Sequence, residues 1–143
     1  MEEKYVSYSQ AVKLKELGFD WDCTHYYNDN DNNPKHPYEV EPRCFGMYHI
    51  SYDFNYDDSN ELFEELTSAP RLDQAQKWLR DTKELHVLPR LENVNKPDYV
   101  CIVTLMRKEI IRITNNGSYF PNYELALSAG IDAALELLTD NTK

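Results

Sequence analysis

The chain has 143 residues and a net charge of −10, and 41% of its residues are hydrophobic, which suits one globular domain spanning residues 1–143. No apolar run approaches the ~20 residues that a membrane helix needs, so we expect no membrane partner. The first residues, MEEKYVSYSQ, lack the basic and apolar regions of a signal peptide, and this predicts a cytoplasmic protein. The three cysteines are widely spaced, which argues against a disulfide framework.

The acidic charge is concentrated in the first half. Residues 1–70 hold 15 Asp and Glu against 5 Lys and Arg, whereas residues 71–143 hold 10 of each kind. An acidic field repels the phosphates of nucleic acids and suits a basic protein partner. We therefore expect a basic protein as partner and no nucleic acid, with solubility alone as the alternative explanation of the charge.

A first helix is predicted over residues 8–17. Ser7 and Gln10 have the spacing of a capping box, in which each side chain accepts from the other residue's amide. Gly18 suits the left-handed position after the helix, and Phe19 can fold back on Leu14 in a Schellman-type ending.

Two strands and a short helical turn are expected in the rest of the first half. Aromatic and β-branched residues predict strands over residues 23–28 and 45–54. Residues 60–66 are assigned to the helical turn. The polar runs over residues 28–34 and 57–60 are predicted to be loops.

The second half is predicted to run helix, strands, helix. A helix is expected over residues 72–83, entered through Pro70. Residues 86–91 form a strand that Pro89 restricts to an edge or a bulge. The most apolar run, residues 99–105, is predicted to be the central strand, and residues 110–114 form another.

The C-terminal helix has the clearest pattern of the chain. Asn116 and Gly117 give a two-residue hairpin signal, and residues 118–120 return as a short strand. Asn122 then caps a helix over residues 122–138 whose wide apolar arc predicts burial. Gly130 within this helix costs about 1 kcal/mol relative to Ala, so close packing is expected there. The alternative is that the helix packs on its copy in a homodimer.

Metal and calcium sites are not expected. Cys23, His25, His36, Cys44 and His49 form the one group of soft ligands, but their spacing completes no zinc pattern, and whether they converge is left open. The run Asp29, Asp31 and Asn33 resembles the start of a calcium loop. That loop fails because Pro34 replaces the required Gly and Val40 the bidentate Glu.

Catalytic and RNA-binding patterns are also missing. The sequence contains no G-x-S-x-G, no Gly-rich phosphate loop and no H-E-x-x-H, so we expect no enzyme, no cofactor and no catalytic residue. The helix–strands–helix order is shared with double-stranded-RNA-binding domains. Those domains have a Lys cluster at the start of the last helix, where this chain has Asn122, Tyr123 and Glu124.

A protein-binding surface is the functional hypothesis that the composition favours. Tyrosine occurs 11 times and is concentrated in the acidic half, together with phenylalanine and Trp21. Tyrosine is common at protein interfaces because its ring buries a large area at low entropic cost. The predicted surface consists of Tyr52, Asp53, Tyr56, Asp57 and Asp58.

Three segments carry a resemblance. They are SYSQAVKLKELGFDWDCTHYY, SAPRLDQAQKWLRD and NYELALSAGIDAALELL, and together they cover about a third of the chain. The chain resembles a group of small proteins of gut bacteria, their phages and mobile elements. Arg71 departs from the Ser or Thr that often precedes Leu72 as a helix cap in that group. The resemblance implies a habitat and a common fold, and it carries over no activity and no site residue.

These patterns together predict an α+β fold, a mainly antiparallel sheet with three principal helices packed on it. The function they favour is a non-enzymatic accessory protein of phage or mobile-element origin that acts through protein contacts. The alternative is a small-ligand-binding domain or an enzyme with a pocket between the sheet and the helices.

Overall fold

The structure, a computed structural model, describes residues 5–28, 43–44, 55, 66–93, 95–105 and 109–140. The chain divides into two compact units, Met1–Arg71 and Leu72–Lys143. Within the described residues there are three helices and two three-stranded antiparallel sheets. The α+β class with antiparallel strands and three helices is therefore confirmed, with the strands divided between two sheets.

The first unit combines helix α1 (Tyr8–Glu16) with strands β1 (His25–Asn28), β2 (Arg43–Cys44) and β3 (Leu66–Ser68). The sheet order is β2-β1-β3, and α1 packs against β3. Its core is formed by buried side chains before, within and after α1, among them Val6, Ala11, Leu14 and Phe19. The Tyr27 side chain is also buried, and its hydroxyl donates to the Val6 carbonyl at 2.6 Å.

Both ends of α1 have the capping hydrogen bonds that the sequence predicts. The Ser7 hydroxyl accepts from the Gln10 amide at 3.2 Å, and the Gln10 side chain accepts from the Ser7 amide at 2.8 Å. At the other end Gly18 has φ of 95°, and the Phe19 amide donates to the Leu14 carbonyl at 2.9 Å. The capping box and the Schellman-type ending are both present because each depends on residues within six positions of one another.

Strand β3 corrects one expectation about the first unit. The sequence predicts a helical turn over residues 60–66, but Leu66 begins a strand, and residues 60–65 lie outside the described residues. All three residues of β3 are buried, and they pair with β1 from Tyr26 to Asn28. Burial on both sides and pairing with a partner distant in sequence set this conformation. The strand predicted over residues 45–54 also lies outside the described residues.

The second unit contains α2 (Leu72–Lys83), β4 (Leu85–Asn93), β5 (Asp98–Leu105), β6 (Glu109–Ile113) and α3 (Tyr123–Asp140). Its strands are ordered β4-β5-β6, so β5 is central and β4, which contains Pro89, lies at an edge, as predicted. The Asn116–Gly117 turn is confirmed by φ values of 53° and 87°.

Helix α3 packs on the face of the second sheet that carries Val87 and Cys101. A Cβ atom placed on Gly130 would lie 2.6 Å from Val87 Cγ1 and would overlap Cys101 Sγ. The absence of a side chain at Gly130 therefore lets α3 approach the sheet closely. The predicted cap is present, because the Asn122 side chain accepts from the Leu125 amide at 2.8 Å.

Candidate functional site

The surface predicted from the sequence cannot be placed. Tyr52, Asp53, Tyr56, Asp57 and Asp58 lie outside the described residues. That part of the sequence prediction stays a prediction.

The group of soft ligands is described only in part. Cys23 is buried, and its thiol donates to the Trp21 carbonyl at 3.6 Å. The ring of His25 shares a hydrogen bond with the Thr24 hydroxyl at 2.8 Å and lies 4.2 Å from the Tyr5 ring, between centroids. His36 and His49 lie outside the described residues, and only the backbone of Cys44 is described. Among the residues that are described, no three His, Cys, Asp or Glu form a group that could hold a metal ion.

The cysteine of the second unit is a core residue. Cys101 is fully buried beneath Gly130 of α3. Burial raises the pKa of its thiol to about 12, and a hydrogen bond with the Leu88 backbone offsets a smaller part of this rise. A buried thiol with a raised pKa is a poor nucleophile at neutral pH because very little of it is thiolate.

The candidate site is the face of the second sheet opposite α3, which we call the open face. Side chains alternate between the two faces of a strand, so Leu88, Ile102 and Ile110 lie on the side opposite Val87 and Cys101. Leu88 is directly opposite Ile102, while Ile110 is diagonal to Ile102 on the next strand. Leu88 is 50% exposed, Ile110 is 74% exposed and Ile102 is half-buried. Val100 on the same face is buried, so the exposed apolar side chains of this face are Leu88 and Ile110, with the half-buried Ile102 on the strand between them.

A charged cluster borders this apolar area. Arg90 and Arg112 have the same strand parity as Leu88 and Ile110, and both guanidinium groups approach the carboxylate of Glu92. The distances are 3.7 Å from Arg90 and 3.5 Å from Arg112, measured from nitrogen to oxygen. Two cations share one anion, so the cluster retains an excess positive charge. Exposed pairs of this kind contribute little to stability, which leaves the arginines available for a partner.

This surface is not among the sites predicted from the sequence, although the sequence of β6 carries a signal for it. The sequence predicts that Pro89 places residues 86–91 at an edge or a bulge and that residues 99–105 form the central strand. With residues 86–91 at one edge, the next strand lies at the opposite edge. In that strand Ile110 and Arg112 alternate with Ile111 and Ile113. An apolar residue on both faces of an edge strand is unusual where, among the described residues, α3 covers only the face that carries Val87 and Cys101.

Similarity to known proteins does not indicate what this surface binds. Comparison with protein-family models, with curated proteins and with solved structures finds no match to the chain. No helix among the described residues is long and apolar enough to cross a membrane.

Proposed function

We propose that this protein is a non-enzymatic binding module that acts through protein–protein contacts of the open face. The observation that carries this proposal is the apolar area formed by the exposed Leu88 and Ile110 and the half-buried Ile102, bordered by the Arg90–Glu92–Arg112 cluster. Contiguous exposed apolar surface with a polar rim is the usual anatomy of a protein interface.

The charges of the cluster specify the chemistry of the partner. Arg90 and Arg112 expose more than half of their side chains and share the single carboxylate of Glu92. A partner that presents apolar side chains together with Asp or Glu complements this face. Arginine also forms bidentate hydrogen bonds with carboxylates, which favours an acidic partner over a neutral one.

Three single substitutions test the proposal. Leu88→Asp and Ile110→Asp place a negative charge on the open face, whereas Leu125→Asp places the same charge on α3 at a residue of similar exposure, 48%. Each purified variant is used to capture partners from lysate of the producing cells, and the captured proteins are quantified by mass spectrometry. The proposal predicts one protein that the wild type and Leu125→Asp retain and that both open-face variants lose. If the wild type and the three variants all captured the same proteins in equal amounts, the proposal would be contradicted.

The acidic first half supports a second binding surface. Residues 1–70 carry a net charge of −10, and the cluster of Tyr52, Asp53, Tyr56, Asp57 and Asp58 suits a basic protein. Replacing its three aspartates by asparagine keeps the side-chain volume and removes the charge. A partner of this surface is released by the triple variant and by high salt, and is unaffected by Ile110→Asp.

The biological setting is part of the same proposal. The resemblance to small proteins of gut bacteria and their mobile elements supports an accessory role in a phage or mobile element, exercised in the cytoplasm. The neighbouring genes test the first point, since phage or transfer genes are expected beside this one. Fractionation of the producing cells tests the second.

A further inference from the structure

The hydrogen bonds of Tyr99 fix the direction of the backbone groups throughout the second sheet. Its amide donates to the Phe120 carbonyl at 3.0 Å and its carbonyl accepts from the Phe120 amide at 2.8 Å. On its other side Tyr99 is paired with Leu91 of β4. The two hydrogen bonds between Tyr99 and Phe120 are therefore on the side of β5 that faces β6. Backbone groups alternate in direction along a strand, so those of Cys101 and Val103 also point toward β6.

The edge formed by β4 is protected. Val87 is opposite Val103, whose backbone groups point to β6, so the Val87 carbonyl points away from the sheet. The Gln76 side chain of α2 donates to that carbonyl. Pro89, the next residue with the same orientation, has no N–H to offer. A covered carbonyl and a proline are two of the means by which natural sheets prevent pairing at an edge.

At the edge formed by β6, the described residues provide no such protection. Ile111 and Ile113 are opposite Val103 and Cys101, so their backbone groups point into the sheet. Those of Ile110 and Arg112 consequently point outward, and neither backbone makes a hydrogen bond within the described part of the chain. The strand contains no proline. Two outward N–H and C=O pairs, two residues apart, are what an added strand requires.

We propose that β6 accepts an extended segment of a different protein as the fourth strand of the second sheet. The segment alternates apolar and acidic residues on the open face, because it must meet Ile110 and Arg112. This inference rests on the proposed function and adds to it the mode of binding and the sequence character of the partner.

A second copy of β6 fits this edge less well. Side chains directly opposite in an antiparallel pair share a face, so copies related by a two-fold axis must pair residues of equal parity. Pairing Arg112 with Arg112 places two cations opposite each other, and pairing Arg112 with Ile110 places the two arginines on a diagonal. Pairing Ile110 with Ile110 overlaps only three residues of each β6 strand, Glu109 to Ile111. An acidic segment avoids the repulsion and uses the whole strand.

A designed peptide tests the pairing itself. The probe is the nine-residue peptide Thr-Glu-Thr-Val-Thr-Glu-Thr-Val-Thr, which can place Glu opposite Arg112 and Val opposite Ile110. Amide hydrogen exchange of the full chain is followed by NMR at millimolar peptide. In the free protein we expect the Ile110 and Arg112 amides to exchange quickly and the Ile111 amide, which points into the sheet, to exchange slowly. With peptide bound, exchange at Ile110 and Arg112 is expected to slow by at least about tenfold, since their N–H groups become hydrogen-bonded.

Two methylated peptides separate strand addition from other binding. Methylation of the Glu and Val amides removes the N–H groups that face β6, whereas methylation of the Thr amides removes only those that point away from it. The inference predicts that the first peptide loses binding and the second keeps it. Equal binding of both, with shifts at Leu88 and Ile102 but no protection of Ile110, overturns strand addition and leaves the open-face proposal standing. Absence of binding by all three peptides overturns strand addition, and the capture experiment then decides the proposed function independently.

A matched pair of variants at Ile110 tests strand addition by changing the protein instead of the peptide. Ile110→Pro removes one outward N–H and leaves the bonds between β5 and β6, while Ile110→Val keeps the N–H and most of the side chain. Peptide affinity is expected to fall at least about tenfold for the proline variant and to change little for the valine variant. Slow exchange of the Ile111 amide verifies that each variant is folded. A mass of two chains by light scattering, restored to one by Ile110→Pro, would overturn the inference in favour of self-pairing.

Discussion

Replacing Gly130 by alanine tests how closely α3 is packed on the second sheet. On helix propensity alone the substitution should stabilise the protein by about 1 kcal/mol, because glycine is unfavourable within a helix. The structure predicts the opposite sign. The added Cβ atom would lie 2.6 Å from Val87 Cγ1 and 3.2 Å from Cys101 Cβ, and would overlap Cys101 Sγ. Val87 and Cys101 are buried, so they have no open space into which to move.

The size of the effect follows from these two opposing contributions. Forcing an extra methyl group into a filled core costs about 1–3 kcal/mol, and the overlap with two buried side chains places Gly130→Ala in the upper part of that range. After the gain in helix propensity, the free energy of unfolding is expected to fall by about 1–2 kcal/mol. Urea denaturation measures this, with the fluorescence of Trp78 reporting on the second unit in a Trp21→Phe background.

A double-mutant cycle identifies the cause of the loss. Cys101→Ala removes the sulfur atom that the new methyl group would overlap. The loss caused by Gly130→Ala should therefore be smaller in the Cys101→Ala background than in the wild type, with a coupling of about 0.5–3 kcal/mol. An increase in stability on Gly130→Ala alone would refute the close packing, and additive losses would refute the assigned contact.

Three further predictions concern single residues. Burial raises the pKa of the Cys101 thiol to about 12, so between pH 9 and 12 the folded state keeps a proton that the unfolded chain loses. The stability advantage of the wild type over Cys101→Ala, measured by urea denaturation from pH 8 upward, is then fully present below pH 9. It declines above pH 9 by at most about 1.4 kcal/mol per pH unit, and a constant difference would contradict the burial. Asn122→Ala removes the hydrogen bond to the Leu125 amide and should cost about 1 kcal/mol, whereas Asn122→Asp should cost little, as thermal unfolding can show. Gly117→Ala places a side chain at φ of 87° and should lower the melting temperature, while Ser118→Ala beside it should have little effect.

The parts of the fold that the sequence predicts are those determined by a few neighbouring residues. The Ser7–Gln10 capping box and the Asn116–Gly117 turn each involve atoms within four positions of one another. The Asn122 cap is equally local. Helical periodicity likewise predicts the three helices of the described residues, because each has buried residues that recur at helical spacing.

Strand β3 is not predicted because its local sequence does not distinguish a strand from a helical turn. Three residues are too few to display alternation, and all three are buried on account of their pairing with Tyr26, Tyr27 and Asn28. Such pairing joins residues about 40 positions apart and becomes visible only in the folded chain.

The sequence predicts the edge position of the candidate binding surface but not the direction of its backbone groups. Pro89 and the apolar run of residues 99–105 together imply that residues 110–114 lie at an edge. The direction of the outward N–H groups does not follow from this, because it depends on which residues of β5 bond to β6. The hydrogen bonds between Tyr99 and Phe120 supply that information.

The central claim, that the open face and the β6 edge meet a partner protein, is most directly tested by photo-crosslinking at Ile110. The photoreactive amino acid p-benzoylphenylalanine replaces Ile110 in one chain and Leu125, which is exposed on α3, in a control chain. After irradiation in living cells, the account predicts one adduct with a different protein at Ile110, containing an acidic and apolar extended segment, and no such adduct at Leu125. An adduct between two copies of this chain, the same adduct at both positions, or none at Ile110 would contradict it.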